Sequence, residues 1–241
     1  MQRRDFFKLV GGASLIAIAP SLIEGKLKAN DGTLFQAYKK VQLVDAQGNP
    51  LLASKLVPEE NYVFNYPHVG TSCMLIALPK PTQKSVKLKS EDEEEYMWMG
   101  GVGKNSNIVA YSAICPHQLT HINKSDTFIS YIKSGQKTMA CKKDSVIVCG
   151  SHLSAYEPTK GCEVIGGPAP QPLASIVLEH HDDDTLWAVA VLGPDKFHDF
   201  FKSFKPELKE QYGGKRKAKK LIEDATKTVV LADFASDIIQ Y

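Results

Sequence analysis

An all-β sandwich or barrel is the fold class this sequence predicts, and three observations predict it. Short apolar stretches recur through the middle of the chain, parted by Gly, Pro, Asn and Asp. The 17 Gly and 13 Pro among 241 residues supply the turns that such a fold needs. Helical composition is confined to the tail, at residues 195–204 and 215–225, with Pro206 and Gly213-Gly214 as breaks.

The elements follow in order. Residues 40–45 and 51–57 read as two strands around the turn Gln47-Gly48-Asn49-Pro50, and residues 61–66 and 73–78 as two more, the second apolar nearly throughout and therefore buried. Residues 79–95, punctuated by Pro79 and Pro81 and ending in Glu91-Asp92-Glu93-Glu94-Glu95, read as a solvated loop. Strands are expected again at 96–98, 108–114, 146–149, 176–179 and 186–192. Met97, Trp98 and Met99 read as core packing, Cys73 as a buried thiol, and His68, His180, His181 and His198 as surface residues. The tail from residue 195 to 241 reads as a helical appendage outside the core. This gives a signal or anchor at 1–23, a linker at 24–39, a β domain at 40–194 with a two-loop subdomain at about 108–175, and a C-terminal extension.

Composition excludes the extremes. Apolar residues at 43% and charged residues at 23% suit a chain that buries a core. With 29 basic and 27 acidic residues the formal charge is +2, which gives no ground for a nucleic-acid partner. Five Cys is an odd count, so a pure disulfide framework would leave a thiol over. Cys141 and Cys162 flank the second loop described below and are a candidate pair in an oxidising compartment.

The N-terminus is basic and then apolar: Arg3, Arg4, Phe6, Phe7 and Lys8 precede an uncharged run over residues 9–23. This resembles a twin-arginine export signal, which implies passage of an already folded protein to the periplasmic side of a bacterial inner membrane. Ala17-Ile18-Ala19 looks like a cleavage site but is followed by Pro20, so a retained anchor is the expectation.

The chemistry sits in two loops, each at the end of an expected strand: Cys115-Pro116-His117 and Cys149-Gly150-Ser151-His152. Each loop offers one thiolate and one imidazole. A Cys2His2 zinc site uses the same donors but groups a Cys pair at one end and a His pair at the other. Alternation between loops lets both Cys take one metal and both His a second, the ligation of a Rieske 2Fe-2S centre. The chain resembles the Rieske iron-sulfur protein family further: Ser154 and Tyr156 stand where family members of high potential carry hydroxyls that donate to cluster sulfur, and Gly167-Pro168-Ala169-Pro170 matches a segment that covers the cluster in quinol-oxidising members.

The resemblance implies a Rieske-type 2Fe-2S cluster held by Cys115, His117, Cys149 and His152, with His117 and His152 at the reactive rim. Two neutral imidazoles in place of two thiolates lessen the negative charge opposing electron uptake, and potentials rise to roughly −150 to +300 mV. One-electron transfer is the implied function, as the iron-sulfur subunit of a cytochrome bc-type complex that takes electrons from quinol at a cytochrome b and passes them to a c-type cytochrome. An electron-relay subunit of a molybdenum enzyme such as arsenite oxidase is the alternative, and a zinc-stabilised binding module without redox activity is a third.

Two features depart from the family pattern. The respiratory members link the two loops by a disulfide, and Thr120 and Ser151 occupy the corresponding positions here. The 31 residues between His117 and Cys149 are also many, which predicts an inserted hairpin. His121 is expected beside the ligands or at the surface rather than among them.

Overall fold

The structure is a computed structural model that describes residues 34–240. The export-signal and anchor expectation for residues 1–23 lies outside the described residues.

The main sheet has eight strands: β1 (Phe35–Val44), β2 (Tyr62–Asn65), β3 (Ser72–Ala77), β6 (Ile108–Ser112), β12 (Ser175–His180), β13 (Leu186–Leu192), β14 (Ala225–Lys227) and β15 (Val229–Val230). Its order is β14-β1-β13-β12-β6-β3-β2-β15. Thr226 on β14 links back to β2, its hydroxyl donating to the Asn65 carbonyl at 2.9 Å and accepting the Asn65 N–H at 3.3 Å. The sheet is thereby almost closed on itself, and the expected all-β barrel class holds.

A second, four-stranded sheet carries the subdomain: β8 (Ile129–Ile132), β9 (Val146–Cys149), β10 (Ser154–Glu157) and β11 (Glu163–Gly166), ordered β11-β10-β9-β8. Two small pairs complete the strands, β4 (Val86–Lys89) with β5 (Glu95–Trp98), and β7 (Asp126–Thr127) with β16 (Asp237–Ile238).

Strand alternation explains the layering. Cys73, Leu75 and Ala77 of β3 point into one core with Phe64, Ala110, Ile176 and Ala188, inside the barrel. Met74 and Ile76 point the other way, into a second core with Val109, Tyr111, Ile129, Tyr131 and Tyr156. Both faces of β3 and β6 are therefore buried, which is why their sequences are apolar without alternation. The second core is the seat of the two-loop subdomain, and Cys115 and Cys149 belong to it.

Several expectations need correction. Residues 51–57 form a short 3-10 turn at Ala53–Lys55 rather than a strand, bridged to the barrel from Leu52 to Thr185 and anchored by Leu56 in its core. The linker expectation ran too far, since β1 begins at Phe35. The expected loop at 79–95 contains β4, whose Val86 and Leu88 are buried while Lys87 and Lys89 face solvent. By the same alternation Trp98 is buried but Met97 and Met99 are exposed, so only one of the three packs in the core.

The tail is not an appendage. Helices α1 (Phe197–Ser203), α2 (Lys205–Tyr212) and α3 (Lys215–Ala218) send Phe197, Phe200, Phe201, Leu208 and Ala218 into the barrel core, and β14 and β15 extend its sheet. Each buried Phe or Leu contributes about 1.5–3 kcal/mol relative to an exposed one, enough to dock helices too short to persist alone. Residues 219–225, expected to be helical, lead instead into β14. Helix α4 (Leu231–Phe234) places Leu231 in the second core.

Candidate metal centre

The first loop leaves β6 and turns back on itself. The Cys115 N–H donates to the Thr120 carbonyl at 2.7 Å, and the Leu119 N–H to the Cys115 carbonyl at 2.9 Å. Leu119 adopts φ 61°, a left-handed conformation that a non-glycine residue takes only when its surroundings hold it there. The second loop is the four-residue connection of the β9–β10 hairpin, in which Cys149 and Ser154 lie directly opposite one another.

These two turns bring all four expected donors to one end of the second core. Cys115 and Cys149 are buried, each 1% exposed, whereas His117 is half-buried and His152 exposed. The imidazole rings meet edge to face with centroids 4.8 Å apart. The two thiols are close enough to hydrogen-bond to each other, and the Tyr156 hydroxyl lies 3.2 Å from the Cys115 sulfur. The arrangement is two sulfurs inside and two imidazoles outside.

Electrostatics shows what the thiols lack. The Cys149 thiol and the Tyr156 hydroxyl at its sulfur favour ionisation of Cys115, which lowers its pKa, and the resulting thiolate together with burial raises that of Cys149. Two buried sulfurs in contact can both lose their protons only if a cation replaces the one they share. Two more polar atoms await a partner: His117 Nδ1 and Ser154 Oγ are buried and make no hydrogen bond. The residues present therefore fit a metal centre. Among the described residues, no three His, Cys, Asp or Glu side chains converge on a single ion. Two metals with two protein donors apiece suit this geometry better than one tetrahedral zinc.

A third segment leans on the second loop. Gly167 has φ 79°, and a methyl group there would meet the Leu153 carbonyl and lie 2.5 Å from the Ser154 Cα. Glycine is required on both counts. Pro168 is exposed beside it and Ala169 is buried in the second core.

Three residues outside the motif also act on the site. The Thr120 side chain stands near enough to Cys149 to favour its thiolate, bringing the loops together without a covalent link. His121, read from sequence as peripheral, is 8% exposed and its Nε2 lies 2.9 Å from Glu207 of α2. No local signal announces Glu207, because its partner stands 86 residues away. All five Cys are free, so Cys141 and Cys162 do not pair, and Cys73 is fully buried as expected. His68, expected at the surface, is half-buried between Phe197 and Phe201.

Residues 77–177 match the family model described as Rieske [2Fe-2S] domain. These residues form a Rieske-type domain, whose cofactor is a Rieske-type 2Fe-2S cluster. Among curated relatives it is 29% identical over 194 residues to the iodate reductase subunit IdrB of Denitromonas iodatirespirans, covering 80% of this chain and 82% of that one. It is 24% identical over 186 residues to a putative respiratory nitrate reductase Rieske subunit of Haloferax mediterranei, covering 74% and 72%. Among solved structures, the soluble domain of Rieske protein II (soxF) from Sulfolobus acidocaldarius aligns with a TM-score of 0.47 at 19% identity, covering 77% of this chain and 93% of that one. The chain is a Rieske-type electron-transfer subunit.

Proposed function

We propose that this chain relays single electrons to or from a catalytic oxidoreductase subunit that acts on an oxyanion, with Cys115 and Cys149 holding one iron and His117 and His152 the other. The observation that carries the ligand assignment is the pairing of two buried neighbouring free thiols with two imidazoles in edge-to-face contact toward solvent. When bound, the cluster supplies a one-electron couple whose potential is high because half of its protein ligands are neutral.

The residues divide the remaining work. The Tyr156 hydroxyl stands beside the Cys115 sulfur, and the Ser154 hydroxyl is buried without a partner on the residue opposite Cys149, where hydrogen bonds to a bound cluster would stabilise the added negative charge of the reduced state. The exposed His152 and half-buried His117 give an electron partner its shortest approach.

The names of the relatives, iodate reductase and nitrate reductase, support a catalytic partner of the molybdenum-enzyme kind over a cytochrome b. The quinol-oxidising reading remains as the second, favoured by the Gly167-Pro168-Ala169-Pro170 segment that packs against the second loop. In either case export by the twin-arginine route to the periplasmic side, with a c-type cytochrome as the soluble carrier, is the setting we infer from Arg3, Arg4 and the apolar run that follows. Membrane solubilisation of the full chain under anaerobic conditions, followed by identification of co-purifying proteins and an EPR-monitored redox titration, tests the reading. A molybdopterin subunit is the expected companion, and the cluster should be reduced on adding the partner with its substrate couple. A cytochrome b companion and reduction by quinol would overturn the oxyanion reading in favour of the second.

A further inference from the structure

The first loop lacks a covalent tie to the second, since Thr120 and Ser151 are not cysteines and all five Cys are free. Its turn is closed by the Cys115–Thr120 and Leu119–Cys115 backbone bonds, and Leu119 is held in a left-handed conformation. Yet the loop does not end freely. His121, the residue that closes it by bridging back to Ile114, points away from the cluster ligands and into the C-terminal extension. Its Nδ1 lies 2.8 Å from the Leu119 carbonyl, while Nε2 lies 2.9 and 3.0 Å from the two carboxylate oxygens of Glu207 on α2. Its ring sits against Phe200 and Phe204, with centroids 4.7 and 4.5 Å away. The His121 side chain is 6% exposed and that of Glu207 24%, and Gln211 one turn along α2 donates to Glu207 at 3.3 Å.

We propose that the C-terminal extension is a non-covalent clamp on the first cluster loop, with Glu207 and His121 as positioning residues that take over the task of the absent disulfide. The inference rests on the reading that Cys115 and His117 hold iron. The physical chain is short: Glu207 fixes the His121 ring, the ring fixes the Leu119 carbonyl, and the Leu119 N–H fixes the Cys115 carbonyl. Thr120, between Leu119 and His121, places its side chain beside Cys149 in the other loop. Loosening Glu207 therefore acts on both the sulfur separation and the Tyr156 contact with Cys115. A bond to a charged group in a mostly buried setting is strong enough to register as a rate.

The test compares the loaded full chain with Glu207→Ala and Glu207→Gln, and with Val230→Ala as a control on β15, where the same tail packs on the barrel far from the loop in sequence. Cluster release into an iron chelator is followed by loss of visible absorbance, the midpoint potential by titration, and amide hydrogen exchange at residues 119–122 and 150–153 in the apo protein. Glu207→Ala should release the cluster roughly tenfold faster, exchange faster at 119–122 but not at 150–153, and shift the potential, while Glu207→Gln lies between it and the parent. Val230→Ala should change release less than about twofold at an equal loss of melting temperature. Introducing Thr120→Cys with Ser151→Cys into the Glu207→Ala chain should restore slow release on oxidation. Unchanged release and exchange in Glu207→Ala, or an equal acceleration in Val230→Ala, would overturn the clamp. A parent chain without 2Fe-2S absorbance would instead sink the iron assignment, and the amide exchange would still decide whether Glu207 holds the loop.

Discussion

The two loops that meet at the candidate centre are held by different means. The second is local: four residues join β9 to β10, Cys149 faces Ser154 across the hairpin, and the Gly150 N–H donates to the carbonyl of Phe128, just ahead of β8, at 2.6 Å. The first is remote-controlled, because beyond its own turn it depends on a helix that begins at Lys205. A sheet can fix a ligand loop by register alone, whereas a loop between a barrel strand and an insertion needs an external support.

The comparison can be broken or sharpened by a series of perturbations. The largest effect is expected at the sulfurs: Cys149→Ser or Cys115→Ser should abolish the visible and EPR signals of the cluster. Circular dichroism should still show a folded β protein, because the barrel core contains neither residue.

Next comes acid. His68 packs at 5.8 and 5.2 Å from Phe197 and Phe201 of α1, and burial, with Lys219 nearby, pushes its pKa from the ordinary 6.5 down to about 4. Between those values the unfolded chain binds a proton that the folded one refuses. The stability held by this neutral ring is complete above about pH 6.5 and is lost as pH falls toward 4, by up to about 3 kcal/mol. Urea melts of the apo protein across that range should show the slope, and His68→Asn should flatten it. Because His68 supports the first tail helix, hydrogen exchange in the same window should rise at the first loop before the second.

Gly167→Ala should cost about 2 kcal/mol, since it combines a positive φ with a backbone collision. Its signature is accelerated exchange around Leu153 and Ser154, the reverse of the pattern expected for the tail. The smallest effect belongs to Ser154→Ala. Removing a hydroxyl that stabilises the reduced state by about 1 kcal/mol lowers the potential by ~40 mV for a one-electron couple. Differential scanning calorimetry should show little change in melting. A rise in potential would contradict the role given to that hydroxyl.

Much of the centre was legible because its information is local. Cys115, His117, Cys149, His152, Ser154 and Tyr156 lie within two short segments, and strand-end loops place such segments at one end of a sheet. Strands β9 and β13 were likewise readable to the residue, being uninterrupted apolar runs. Strand β4 was hidden because Val86-Lys87-Leu88-Lys89 is a four-residue alternation in a segment that Pro79 and Pro81 marked as loop. In the tail, Phe197, Phe200, Phe201 and Phe204 already show helical spacing, but composition alone does not say which face another element will cover. Strands of two or three residues such as β14, β15 and β16 exist only because a partner strand offers them an edge. Glu207 belongs to the same category: an ordinary surface acid until the fold delivers His121 to it.

The placement of β1 has a consequence for biosynthesis. Its two neighbours in the barrel are β13 and β14, ending at Leu192 and Lys227. A nascent chain leaving the ribosome can therefore pair its first strand with nothing permanent until nearly the whole polypeptide has been made. The same stretch that seals the barrel also delivers the helix behind His121, so a truncation near residue 200 removes both β14 and Glu207 and is expected to give a protein with an open barrel edge and an unsupported first loop.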